Sequence, residues 1–528
     1  MSEKLDKIIV TNESALVSKY GAPGARSVRA AVARLIAADR ARGLVTRFVA
    51  LDNAQEMRRL SARPVGRAAD ARQNKQAIDD LYWALAPDYI LLLGSSDVIP
   101  QQRLDNPVYS ARGEDNDLKV ASDLPYACES GYGTKIGQFV GPTRVVGRLP
   151  DIAGAREPSY LLSLIKTAAA ARPMGSDEYS GRFVISAQIW QRSTRESMRN
   201  MFGDSHGILQ VPPRKSSWLP KLLRSRLHFI NCHGASHASE FFGQPASGKA
   251  QYPIALKASY INGKISTGTL AAAECCYGAQ LERFSPSHTL PGICETYLGN
   301  GAWGFVGSTT IAYGDTDANG DADLICQYFM ENSLAGASLG RAFLEARQKF
   351  IGAASPLHPL DLKTLGQFNL YADPSIVAVR GESLDVAPFA ALSLKAVRAE
   401  RSARHDRRRA LFKQGTSLAE REPIPRRTGT TRSTTIKRAL YSKARSFELL
   451  PRRALSFAIR YRGGRKGMPR GLTSDAALPR AYHILLCESP ASQKGSGFAT
   501  RSGIPNIVAL VGKEVDGALV SIARLDSR

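Results

Sequence analysis

The chain has 528 residues, 43% of them hydrophobic, and a net charge of +24, so it is long enough for two or three domains with a sizeable buried core. No run of about 18 apolar residues occurs, which excludes a membrane-spanning helix, and the opening MSEKLDKIIV lacks the apolar stretch of a secretory signal. The charge does not mark the whole chain as nucleic-acid-binding, because residues 396–480 hold 23 Lys and Arg against six Asp and Glu, an excess of +17.

Read in chain order, SVRAAVARLIAADRARG (27–43) has helical apolar spacing and stops at Gly43, and VTRFVAL (45–51) follows as a strand. NKQAIDDLYWALA (74–86) is a second helix leading into the apolar run YILLLG (89–94). The alternation continues through RVVGRLP (144–150), a helix at 159–171, RFVISAQ (182–188), RLHFINCHG (226–234), TGTLAAAECCYGA (267–279) and AWGFVGST (302–309). Residues 322–350 are largely helical, and LYADPSIVAV (370–379) reads as the last strand of this body. Helices alternating with short, wholly apolar strands predict an α/β sheet covered on both faces. Beyond residue 384 the text turns to Arg, Ser, Thr and Pro, and residues 384–480 read as a basic, disordered linker. Strand-like text returns at AYHILLCES (481–489) and at 507–525, a hairpin turning near Asp516–Gly517, giving a small β-rich segment over 481–528.

Seven scattered cysteines, Cys128, Cys232, Cys275, Cys276, Cys294, Cys326 and Cys487, argue against a disulfide scaffold and for a reducing, cytoplasmic setting. The chemistry concentrates in two places. FINCHGA (229–235) puts His233 and Gly234 after an apolar strand, and AECCYGA (273–279) does the same for Cys275 and Cys276 about 40 residues later. Both sets then lie in the crevice at the carboxyl ends of the strands, where open α/β sheets place their sites. A thiolate is a strong nucleophile and a nearby imidazole supports it or protonates a leaving amine; Gly234 frees an N–H for an oxyanion.

These motifs resemble the cysteine peptidases grouped with caspases, legumain and gingipains, and the surrounding text is similar to the gingipain-like, bacterial-type branch. PDYILLLGSSDVIP (87–100), ASDLPYA (121–127) and VGRLP (146–150) resemble its N-terminal half; the two motifs with GAWGFVGSTTIAYG (301–314), ADLICQYF (322–329) and LYADPS (370–375) resemble its catalytic half. The resemblance covers residues 10–380. It implies an α/β/α sandwich of two similar halves, an N-terminal α/β subdomain over 1–180 and a catalytic one over 181–383. The implied activity is a cysteine endopeptidase acting on peptide or protein substrates through a Cys-His dyad and an acyl-enzyme. No cofactor is required. A basic residue before the cut is typical of gingipains and would require an acidic pocket, which the sequence does not locate.

Cys275 gives Cys-x-x-Gly and Cys276 gives Cys-x-Gly; Cys276 is favoured as the nucleophile, with Cys275 the alternative. Asp123 either lines a specificity pocket or fixes a loop by hydrogen bonds, and Glu240 is a candidate to orient His233. Asp315, Asp317, Asn319, Asp321 and Asp323 have the spacing of a calcium loop, but position twelve is Cys326 where an EF-hand has Glu, so Ca2+ stands against a polar turn with Asp323 capping the next helix. Two other functions compete: a catalytically degenerate peptidase fold used as a scaffold, and weak nucleic-acid or acidic-partner binding through 396–480.

Overall fold

The computed structural model describes residues 5–111, 115–249, 251–281, 291–380, 394–459, 478–489 and 503–528, and for 394–401 the backbone alone. The apolar runs form the strands β1 (Lys7–Thr11), β2 (Thr46–Ala50), β3 (Tyr89–Leu93), β4 (Val145–Leu149), β5 (Arg182–Ser186), β6 (Ile208–Gln210), β7 (Leu227–Asn231), β8 (Leu270–Ala273) and β9 (Gly304–Ser308). After the short β10 (Tyr313–Asp315) comes β11 (Phe368–Ala372). Ten of these make one sheet in the order β2-β1-β3-β4-β11-β9-β8-β7-β5-β6.

Every pairing in this sheet is parallel except β9 with β11, so β11 is the seam between two parallel halves. All residues of β1, β4, β7, β9 and β11 are buried. Strands covered on both faces need helices above and below, and the result is the α/β/α sandwich that the alternation implied. The helices include Glu13–Ala41, Ala71–Leu85, Ser159–Ala170, Asp321–Leu334 and Leu339–Ala353. The first is longer than the expected 27–43 and breaks at Gly21, whose φ of 67° only glycine adopts without strain. Among the described residues no helix is long and apolar enough to cross a membrane.

The chain beyond 384 departs from its reading as a linker. Its described residues form a helix (Leu394–Arg421), β12 (Pro425–Thr430), a helix (Thr434–Ser446), β13 (Leu450–Ile459), β14 (Ala481–Glu488), β15 (Ile507–Val515) and β16 (Ala518–Ser527). Leu411 on the first helix packs with Val145 and Leu344 of the body, and Arg408 donates to the Ala86 carbonyl. The five strands form an antiparallel sheet, β10-β16-β15-β14-β13-β12, that includes β10 of the catalytic half. One face of it, Leu485, Cys487, Val508 and Leu510, packs on Ile436, Leu440 and Ala444 of the nearby helix. The other face, with Leu455, Phe457, Ile484, Leu486 and Val511, joins the main core. Residues 481–528 are therefore not a detached β segment. The hairpin does turn at Asp516–Gly517, both at positive φ.

Candidate active site

Strands β7 and β8 are parallel neighbours, Ile230 opposite Ala273, so the residues that follow them emerge side by side at one end of the sheet. After β7 the chain runs through Cys232 into a short three-stranded sheet in which His233 opposes Phe242. After β8 it passes through Glu274, Cys275 and Cys276 into a turn. Successive side chains at a strand end point to opposite sides, and the two thiols part accordingly. Cys275 Sγ faces the Ile230 carbonyl at 3.9 Å, back toward the strands. Cys276 Sγ faces the main chain of Ala312, 3.3 Å from its N–H and 3.5 Å from its carbonyl.

The turn after Cys276 is made by Tyr277, a non-glycine residue at φ 55°, with its N–H on the Thr310 carbonyl and its hydroxyl on Asp117. A bulky residue in this region stores of order 1–3 kcal/mol of strain, which clusters at functional sites. Gly278, the next residue, does not take a positive φ. Gly234 is needed for a different reason: a Cβ there would lie 1.8 Å from the Cys276 carbonyl oxygen.

His233 is buried between aromatic rings, 4.3 Å from Trp190 and 5.1 Å from Tyr252 between centroids. Its Nε2 meets Gln244 Oε1 at 2.8 Å. The Gln244 amide nitrogen donates to the carbonyls of Gly248 and Lys249, which fixes its oxygen toward the ring. That oxygen can only accept, so Nε2 carries the hydrogen and Nδ1 is a bare lone pair. Nδ1 is buried without a hydrogen-bond partner among the described residues. Burial lowers the His233 pKa to about 3 and pushes the Cys276 thiol up to about 12, so both groups are neutral here.

Arg528 lies against the main chain beside both residues. Its carbonyl oxygen accepts from Cys276 N–H at 3.0 Å and from Gly234 N–H at 3.4 Å, and its own N–H donates to the Ala312 carbonyl at 2.9 Å. Behind it β16 lies antiparallel to β10, Ser527 opposite Tyr313 and Asp526 opposite Gly314. The Arg528 side chain is fully buried. Its Nη2 donates to both oxygens of Asp323, at 2.9 and 3.1 Å, and to the Asp315 carbonyl at 2.7 Å; its guanidinium carbon sits 4.4 Å from the Trp190 ring. Gly314 leaves room for it, since a Cβ there would fall on the guanidinium. Glu274 lies beside Asp323, and burial together with that neighbour raises its pKa well above the carboxylate range.

Several candidate residues stand elsewhere. Both oxygens of Asp123 are taken by the buried Arg148, at 2.6 and 2.8 Å. Glu240 opposes Lys257 in register, and Gln244 is the residue that meets His233. The five residues of the calcium-like run do not converge. Asp315 accepts from the N–H groups of Asp317 and Ala318; Asp317 is exposed and pairs with Arg192; Asn319 donates to Ser197 and Gln327; Asp323 holds Arg528. Asp321 accepts from Thr364 and lies in a different cluster, with His358 and Asp361. Gln244 and Trp190 were missed: neither residue type marks a site, and only folding brings them to the imidazole.

No family model matches the chain, and no curated protein matches it. Solved structures that overlay on it include one called "Structure of Protease", at 12% identity over 100% of this chain and 98% of the other with a TM-score of 0.44. Another is the Saccharomyces cerevisiae separase–securin complex, at 12% identity over 44% of this chain and 14% of the other with a TM-score of 0.27. Overlays this loose carry no weight for function.

Proposed function

We propose that the chain is a cysteine peptidase that cuts after arginine, with Cys276 as nucleophile and His233 as the proton carrier. One observation carries the reading: two main-chain N–H groups, of Cys276 and Gly234, converge on one carbonyl oxygen beside a thiol. Paired donors of this kind stabilise the oxyanion of acyl transfer, typically by 10²–10³ in rate per donor.

With a substrate carbonyl in the place of Arg528's, Sγ attacks the carbonyl carbon and the thiol proton passes to His233 Nδ1. The C–N bond breaks, and the imidazolium returns that proton to the departing amine. Water then splits the thioester, releasing the new carboxyl end and restoring the thiol. The preference for arginine is supported by Asp323, Trp190 and the side-chain-free Gly314 around the Arg528 guanidinium.

The test is labelling with an arginyl peptide bearing a thiol-reactive electrophile, in the Arg528→Ala chain so that Arg528 does not hold the site. Cys276 should be modified, Cys276→Ala should take no label, and Cys275→Ala should still take it. Label on Cys275 would move the nucleophile, and no label on either, in protein that binds arginyl peptides, would leave a scaffold without catalysis.

A further inference from the structure

We infer that β16 and Arg528 form a built-in latch, a segment that the chain seats in its own cleft in the manner of a bound peptide; its consequence for activity rests on the peptidase reading above. The geometry is that of a bound ligand. Arg528 uses its N–H, its carbonyl and its guanidinium on three separate elements of the cleft. β16 supplies the preceding residues as an added strand, from Leu525 opposite Asp315 to Ser527 opposite Tyr313. The thiol of Cys276, the imidazole of His233 and the Arg528 side chain are all buried, so this occupant leaves no path for a second peptide.

The segment is tethered as well as seated. β16 is one arm of a hairpin whose other arm, β15, is inside the sheet between β16 and β14. A ligand held by a two-residue turn is present at a high effective concentration, so modest affinity keeps it bound. The pocket also favours staying filled. Asp323 and Glu274 sit at its floor with no other cation hydrogen-bonded to Asp323 among the described residues, and a buried carboxylate left without its partner is costly. An arginine from a substrate meets the same need, so latch and substrate compete for one pocket.

The experiment reads thiol exposure in the full-length chain, independently of catalysis. In the unmodified protein all seven cysteines are buried, and iodoacetamide should modify none of them quickly. Arg528→Ala removes the anchor. Gly314→Ala expels the guanidinium without altering the latch. Each should raise labelling of Cys276 about tenfold or more, as expected for loss of a charged, buried hydrogen-bonded anchor, while the other six cysteines stay unlabelled. Unchanged labelling of Cys276 in both variants overturns the latch. So does label spread over all seven cysteines, since the strand would then be a part of the fold that cannot leave. Hydrolysis of an arginyl reporter should appear or rise in Arg528→Ala. Exposure of Cys276 without hydrolysis keeps the latch and defeats the peptidase reading, whereas equal hydrolysis by the unmodified chain defeats the latch.

Discussion

His233 Nε2 and Gln244 Oε1 lie 2.8 Å apart, and the glutamine is held by two carbonyls on its other side. The pair sets the imidazole tautomer without placing a charge beside it.

In the Arg528→Ala chain, where the cleft is open, Gln244→Ala should therefore lower kcat on an arginyl reporter about tenfold to a hundredfold with little change in KM, because Gln244 touches no part of the arginine site. Gln244→Glu keeps an acceptor but adds a negative charge, which favours the imidazolium. The acid limb of its pH–rate profile should move to higher pH. A profile that does not move in Gln244→Glu would show that the residue serves packing alone.

In the Arg528→Ala chain, Gly234→Ala should lower turnover by about 10²–10³ while leaving the strands in place. A methyl at this position meets the Cys276 carbonyl, and relief requires pulling the Gly234 N–H away from the oxyanion. Losing one such donor costs of order 10²–10³ in rate. Turnover within tenfold of the parent, in a variant with unchanged melting temperature, would place the oxyanion elsewhere.

Asp323→Ala should erase the preference for arginine over norleucine before the cut, lowering kcat/KM for arginyl substrates by about 10² and leaving norleucine substrates far less affected. The measurement is the ratio of the two kcat/KM values, taken in the Arg528→Ala background so that the cleft is open. An unchanged ratio would separate Asp323 from substrate selection.

The pH dependence of thiol labelling should differ between closed and open forms. In the closed form burial pushes Cys276 up to about 12; the Ala312 N–H and Lys363 pull it down, and Asp117 and Asp115 push it up. An acid with a raised pKa stays protonated below that value, so the labelling rate should climb with pH without a plateau below about pH 10. In Arg528→Ala water reaches the thiol, and the rate should level off at a lower pH. Coincident curves from the two proteins would mean that burial by Arg528 does not govern the thiol.

Much of the sandwich was legible because most of its strands are short, largely apolar runs, as at Tyr89–Leu93 before Gly94. That His233, Gly234 and Cys276 come to one end of the sheet was legible for the same reason, since each stands just past such a run. The C-terminal half was not, because its order rests on narrow stripes among many arginines. Ile436, Leu440 and Ala444 recur at four-residue spacing, and Leu455, Phe457 and Ile459 alternate with Ser456 and Ala458. Both periodicities are present in the text, and the charge density of 396–480 masked them. Asp323 was noticed for the wrong chemistry: its partner is about 200 residues away, and no local spacing reports that.

β10 is the outermost strand of its sheet, and β16 is its neighbour there. A peptide that replaces β16 must therefore be selected first by conformation, since Tyr313–Asp315 can be addressed only by a main chain that is itself stretched out and free of other partners. A bond within a helix or an interior strand of a folded protein presents no such edge, so cleavage by the proposed peptidase would be confined to loops, tails and unfolded segments, whatever residue precedes the bond.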